Sequence, residues 1–220
     1  MKIPLLNLRY STACLLLTGM MSLAGCTAAG ALAYKFGPPP RTPAKYKPNQ
    51  DLAVIIVENY RNPSSSEIEA EQLARLIADE IREEKIVPLV ADNAVSNLRD
   101  ADPAKFHTMS IPAIAKAVGA KQAIYVDMRR SSIEVSEGEQ MVRGSMDVGV
   151  KIVDAQNGLT RWPADSQQGW PVGIETPFVS AENVNESLFR RRMHEAMAVR
   201  ISHLFYDWVN DDEGSNMSKN

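Results

Sequence analysis

The 220-residue sequence contains only two cysteines, Cys14 and Cys26, and three histidines, His107, His194 and His203. No two histidines stand at a metal-ligand spacing; His194 and His203 would sit on different faces of one helix. There is no Gly-x-Ser-x-Gly, no Walker loop and no His-Glu-x-x-His. The sequence thus offers no catalytic constellation, no metal site and no cofactor motif, and it reads as a protein that is not an enzyme. No apolar run approaches the roughly 20 residues that a membrane-crossing helix needs. Charge of one sign is also lacking, with 24 basic against 27 acidic residues and a net charge of −3. A mildly acidic chain is a poor nucleic-acid binder, so that partner is not expected.

What is present begins at the amino terminus. Lys2 and Arg9 precede an apolar run from Ala13 to Leu23, broken only by Thr18, Gly19 and Ser22. Too short to span a bilayer, this run has the layout of a secretory signal over residues 1–25. It ends in Leu23-Ala24-Gly25-Cys26, which resembles the bacterial lipobox. The resemblance implies that the Cys26 thiol takes a diacylglyceryl group. It also implies that a signal peptidase recognises Leu23, Ala24 and Gly25 and cuts before Cys26, and that fatty acid such as palmitate is added to the new amine. Each buried CH₂ contributes about 0.8 kcal/mol, so one chain binds marginally while two or three anchor stably. The expected partner of this end is therefore the membrane, through the lipid. An ordinary signal cut after an alanine between Thr27 and Ala33 is the alternative.

Loss of residues 1–25 would remove Cys14, leaving no intrachain disulfide or cysteine-based metal site. It would also remove Lys2 and Arg9, so the remaining 22 basic and 27 acidic residues give −5. Thr27 follows the cysteine where an aspartate would retain proteobacterial lipoproteins at the inner membrane. In a diderm host the expected location is thus the periplasmic face of the outer membrane.

Residues 26–50 hold Pro38-Pro39-Pro40, Pro43 and Pro48 without apolar periodicity and read as an extended, semi-rigid tether. In polyproline form its last 15 or so residues would reach roughly 45 Å. Residues 51–209 are the right length for one domain. Residues 210–220 have no apolar face and read as a disordered tail.

Within the domain, Ala53 to Val57 is a continuous apolar, β-branched run that suits a strand buried on both faces. Arg61-Asn62-Pro63 makes a turn, and Ser64 with Glu67 fits a capping box ahead of a helical stripe of Ile68, Leu73, Leu76, Ile77 and Ile81. Ile86 to Val90 reads as a short strand that Pro88 confines to an edge. A turn of helix is expected near Val95 to Leu98, and a helix capped by Ser110 and stopped by Gly119 follows. Ala123 to Val126 is a buried strand, and Ile133 with Val135 begins another after Arg129-Arg130. After a turn at Glu137-Gly138-Glu139, the alternation of Val142, Met146, Val148, Val150 and Ile152 with polar residues predicts a half-buried antiparallel strand. Asp154 to Gly158 makes a hairpin turn into Leu159 to Trp162. Phe189, Met193, Met197, Ile201, Leu204, Phe205 and Trp208 predict one long helix, capped by Asn183 or Asn185. The fold class is α/β (α+β): a mixed β-sheet of about five or six strands, with two helices and a long C-terminal helix packed on it.

The pieces Val118-Gly119-Ala120 feeding Ala123 to Val126, and Val153-Asp154-Ala155-Gln156-Asn157-Gly158 feeding an apolar-Trp strand at Trp162, carry a family resemblance. Over roughly Asp51 to Pro163 the chain resembles the envelope domains typified by the TolB amino-terminal domain. The curli-export lipoprotein and the lipoprotein activators of penicillin-binding proteins have similar domains. Those relatives dock partner proteins or assemble into rings, so the resemblance implies a binding role. Unlike the curli exporter, this chain lacks a clear pair of long alternating segments that would make membrane-spanning strands.

Trp162-Pro163 and Trp170-Pro171 bracket a polar loop, and Pro177-Phe178 follows. Aromatic side chains on a loop make good anchors, so Trp162, Trp170 and Phe178 are the candidate docking residues. The competing reading is that these rings cover the edge of the core. Asp127 is expected to end a strand and pair with a neighbouring arginine, and Arg190-Arg191-Arg192 to form a solvated face. The function expected is a non-catalytic accessory or adaptor lipoprotein that binds another envelope protein. The alternatives are an envelope hydrolase with dispersed carboxylates and a homo-oligomeric ring component of a secretion system.

Overall fold

The computed structural model describes residues 41–59, 67–136 and 140–209. The expected signal with Leu23, Ala24, Gly25 and Cys26, the tether before residue 41, the turn at Arg61 to Pro63, Ser64 of the capping box, the turn at 137–139 and the tail lie outside these residues.

In chain order the strands are β1 (Arg41–Thr42), β2 (Ala53–Glu58), β3 (Gln122–Ser136), β4 (Met141–Asp154), β5 (Thr160–Trp162), β6 (Trp170–Glu175), β7 (Val179–Ser180) and β8 (Trp208–Val209). The α-helices are α1 (Glu67–Glu83), α2 (Ala94–Ala101), α3 (Pro103–Phe106), α4 (Ile111–Ala117) and α5 (Glu186–Ser202). β1 and β8 make a separate two-stranded sheet. The main sheet runs β2-β3-β4-β5, with β6 and β7 also paired to β4. In the main sheet β2 is parallel to β3, and β4 pairs antiparallel with β3, β5, β6 and β7, so the sheet is mixed, as expected.

Alternation along the strands assigns side chains to two layers. Ile55, Ile124, Val126, Met146, Val148, Val150 and Ile152 face α1 and α5 and meet Leu73, Ile77, Ile81, Met193, Met197 and Ile201. Val54, Ile56, Ala123, Tyr125 and Val153 face the other way, onto Ile114 and Ala115 of α4. The strip 53–56 is buried on both faces, which accounts for its unbroken apolar sequence.

Several expectations are corrected. Ala123 to Val126 and Ile133 to Val135 belong to one 15-residue strand. Arg129-Arg130 does not break it, because the register merely shifts between Met128 and Arg130, placing one extra residue in a bulge. Ile86 to Val90 forms no full strand; it makes a single parallel bridge, Leu89 to Ala53. Ser110 stands at the start of α4, but its side chain makes no capping bond. The strand at Met141–Asp154 is more than half-buried, since Ser145, Gly149 and Val153 on its second face are buried too. The segment after Trp162 returns as β6, paired with β4 from Ser145 to Val150. The last helix ends at Ser202, and Trp208 lies in β8. Its start is as expected: the Asn185 side chain accepts from the Leu188 N–H at 3.1 Å. Gly119 and Gly158 adopt φ of +77° and +74°, so the helix stop and the hairpin turn each use glycine for its left-handed conformation. Residues 44–48, at the end of the expected tether, lie on the domain. The Lys45 and Tyr46 N–H groups donate to Leu204 O at 2.8 and 3.0 Å, and Pro48 is buried.

His194 is the unexpected member of the core. It sits on the inner side of α5 at 1 % exposure, and neither ring nitrogen has a hydrogen-bond partner among the described residues. Burial, and then the nearby positive charge of Arg190, hold its pKa below the usual histidine value of 6.5. The unfolded chain therefore takes up this proton first as pH falls. Stability present above about pH 6.5 is lost below it, by at most about 1.4 kcal/mol per pH unit. Urea unfolding at pH 7.5 and 5.5 should show a larger drop for the natural chain than for His194→Leu; equal drops would refute the assignment.

Candidate functional site

The three aromatic residues singled out from sequence do not form one surface. Trp162, at the end of β5, is half-buried between two rings. It stacks on Tyr46 with centroids 5.7 Å apart and on Trp170 at 5.5 Å, and it meets Phe205 edge-on at 6.1 Å. Trp162 and Trp170 both pack against the core under α1 and α5. The structure thus places these two as cover for the sheet edge, joined to it by Tyr46 from the segment that enters the domain. Phe178 stands apart, 49 % exposed, with the Arg143 guanidinium 5.0 Å above its ring. Arg143 also reaches Glu134 at 3.3 Å and Glu175 at 3.5 Å.

Beside the aromatic stack lies a polar network that ties β5 to the end of β4 and the start of β3. Arg161 donates from Nη2 and Nε to Asp154 Oδ2 at 2.6 and 3.0 Å, and from Nη1 to Gln122 Oε1 at 3.1 Å. Gln122 is fully buried, and its Nε2 donates to the carbonyls of Asn49 at 2.8 Å and Asp51 at 2.9 Å. Asp154 accepts the turn N–H groups of Gln156 and Asn157 as well. The Arg161 hydrogen bond, followed by the Asn157 N–H, holds its carboxyl below the usual carboxylate range. The carboxylate and guanidinium are thus tied into the hairpin and are structural.

Asp127 is 8 % exposed and pairs with Arg129 at 3.3 Å, as expected, but it lies inside β3 and not at a strand end. Arg191 bonds Glu195 on the helix surface at 2.9 Å, and Arg190 reaches Glu186 at 2.8 Å and Glu69 of α1 at 3.6 Å. Among the described residues no group of three His, Cys, Asp or Glu is placed to hold a metal ion. Nor, among them, is any helix long and apolar enough to cross a membrane.

Sequence reasoning did not identify the cavity. A slot of about 150 Å³ runs along the outer edge of β2, between α1 and α2. Its floor is the backbone of residues 53–58, one wall is Ala70, Ala74 and Ala78 of α1, and the other includes Val95 and Phe106. Glu71 and Arg99 bridge the two walls at 3.3 Å, and Arg82 pairs with Asp92 beyond them. Arg75 and Arg99 together hold the Glu71 carboxyl below its ordinary value, the Arg75 hydrogen bond being the larger cause. His107, exposed beside Phe106, also lines the slot. The one sequence signal for it is the spacing of Ala70, Ala74 and Ala78, which puts three methyl groups in a row on one helix face.

Two substitution series test these placements. Trp162→Ala should cost about 2–4 kcal/mol, since a ring stacked on both sides is removed, whereas Phe178→Ala should stay within about 0.5 kcal/mol. Equal effects in urea unfolding would contradict the difference in burial. Arg161→Leu strands the buried Gln122 oxygen and should cost about 1–3 kcal/mol. Lys121→Ala, whose side chain is 66 % exposed and 4.0 Å from Asp51, should leave the unfolding midpoint almost unmoved.

No family profile and no curated protein matches the chain. Among solved structures, it is similar to lipoprotein GNA1162 from Neisseria meningitidis at 13 % identity, with a TM-score of 0.42, over 70 % of this chain and 99 % of that one. It is similar at 13 % identity and a TM-score of 0.39 to the PelC dodecamer from Paraburkholderia phytofirmans, over 76 % of this chain and 96 % of that one. A protein from Caulobacter crescentus is similar at 11 % identity and a TM-score of 0.33, over 68 % of this chain and 81 % of that one. At TM-scores of this size the likeness assigns neither family nor function.

Proposed function

We infer that the protein is a bacterial envelope lipoprotein, anchored through Cys26, that acts without catalysis as an accessory or adaptor for another envelope protein. The observation that carries this reading is the sequence Leu23-Ala24-Gly25-Cys26 at the end of the apolar run of a secretory signal. The chemistry of the domain agrees with it. The charged side chains of the hairpin and of β3 are bound to one another in structural pairs, as at Arg161 with Asp154 and Arg129 with Asp127. A domain held at a membrane by lipid works at the concentration of its neighbours there, so modest affinity for a partner suffices.

Cys26→Ala should abolish incorporation of labelled palmitate and move the protein from the membrane to the soluble fraction. Incorporation that survives the substitution would overturn the anchor. Co-purification with the lipidated chain after crosslinking in cells tests the adaptor role.

A further inference from the structure

Sheet edges present backbone N–H and C=O groups that lack a strand partner, and folds usually cover or charge them. β2 is an edge of the main sheet. At Ala53 the chain satisfies this edge itself: the Ala53 N–H donates to Pro88 O at 2.8 Å, and its C=O accepts from the Val90 N–H at 3.0 Å. Backbone groups alternate in direction along a strand. Those of Ile55 and Val57 therefore point outward with Ala53, while those of Val54, Ile56 and Glu58 point toward β3. The segment carrying Leu89 makes its one bridge and turns away into α2. Among the described residues no strand continues beside Ile55 and Val57.

These outward groups form the floor of the slot. Its walls are unequal. α1 buries Leu73, Ile77 and Ile81 in the core, and the apolar side chains it offers the slot are the small Ala70, Ala74 and Ala78, flanked by Glu67, Glu71, Arg75 and Arg82. α2 has no buried residue, and the Asn93 side chain at its start makes no capping bond. Val95 and Leu98 rest on the core layer of Val54 and Ile56, while across the slot the helix is latched to α1 by Arg99 to Glu71, with Asp92 to Arg82 just ahead of it, pairs that are partly exposed. Such pairs are weak, so the outer wall is the one that can move.

We propose that the slot is a strand-addition site: a short, extended, apolar segment of a partner protein lies between α1 and α2 and bonds backbone to backbone with Ile55 and Val57. The inference rests on the reading of the protein as a binding module, and it names the site and the kind of partner. Paired backbone donors and acceptors in a row select an extended peptide over a globular face or a small anion. The alanine wall gives room for β-branched side chains. The charged lining sets Arg75, Arg82 and Arg99 against Glu58, Glu67, Glu71 and Asp92, a near balance that gives no strong preference for a charged segment. At about 3.3 Å per residue, the stretch from Ile55 to Glu58 accommodates three or four guest residues. Entry parts Glu71 from Arg99 and Arg82 from Asp92.

The test uses the full mature chain and a panel of acetylated, amidated pentapeptides of Val, Ile, Leu and Ala. Binding should slow amide exchange at Ile55 and Val57 tenfold or more and shift their resonances. Val57→Pro removes the outward donor without touching the ladder to β3, and Ala74→Phe fills the slot. Each should weaken binding at least tenfold with the melting temperature held within a few degrees. Arg99→Ala unlatches the outer wall and should tighten binding severalfold; where Val57→Pro fails to fold, the other two variants decide. Peptides that leave both amides unprotected, or that bind Ala74→Phe as well as the natural chain, overturn the proposal. Protection that appears with protein concentration alone, together with a doubled mass, overturns it in favour of a second copy. In cells, a photo-crosslinking residue at position 178 that captures a partner while one at position 107, on the exposed rim of the slot, does not would overturn the slot and leave the adaptor reading standing. No capture from either position and no co-purifying protein would remove the adaptor reading itself.

Discussion

The fold depends on the pairing of one strand. β4 is bonded on both sides along its whole length: β3 runs down one edge from Met141 to Asp154, and β5, β6 and β7 share the other. A strand so placed must be thin as well as apolar. Gly144 lies directly beneath α5, where an added Cβ would stand 2.8 Å from the Phe189 ring and closer still to Met193. Gly149 admits the Arg129 side chain, which crosses to the Gln168 carbonyl and so holds the β5–β6 connection to the bulge of β3. The depth at which α5 sits, and the side chains it aims inward, follow from that absence of bulk. His194 is one of them, and its burial there holds its pKa below the usual histidine value.

The remaining elements fasten onto this strand at its carboxyl end. Asp154 closes the hairpin turn, receives Arg161, and through Arg161 reaches Gln122 at the start of β3. Gln122 in turn holds the carbonyls of Asn49 and Asp51 just ahead of β2. One buried carboxamide thereby sets the register of three strands. Above the same corner the rings of Tyr46, Trp162, Trp170 and Phe205 stack, so polar and apolar contacts meet where the chain enters its fold.

Much of this was legible in the sequence wherever the physics is local. The double burial of Ala53 to Ile56, the alternation from Val142 to Ile152, the Asn185 cap and the glycines at 119 and 158 each have a cause within a few residues. The failures share a different cause. Arg129-Arg130 resembles a strand break until the partner strand shows that only one residue is bulged out. Trp170-Pro171 resembles a loop because Pro171 interrupts an otherwise strand-like run, yet Pro171 is exposed opposite Gly149 and the pairing persists around it. Trp208 continued the helical spacing, but its ring stacks on His203 at 4.0 Å from outside the helix. Of the candidate docking residues, only Phe178 kept an exposed ring, because β6 drew Trp170 against Trp162. The slot was hidden for the same reason, since which edge of β2 lacks a neighbour is decided by Leu89 and Gln122, both far away in sequence.

The fastening at Tyr46 has a mechanical side. Ahead of β2, the Ala44 N–H donates to Asp207 Oδ1 and the Lys47 ammonium pairs with its Oδ2, while Lys45 and Tyr46 bond Leu204 O. A pull on the chain from its amino-terminal side is taken up by these bonds and by the Tyr46–Trp162 stack, and passes into the carboxyl end of α5 and the centre of the sheet. The edge strand β2 follows these contacts in sequence but lies outside that line of tension. The domain can thus be tugged at its point of attachment while the slot beside β2 keeps its shape.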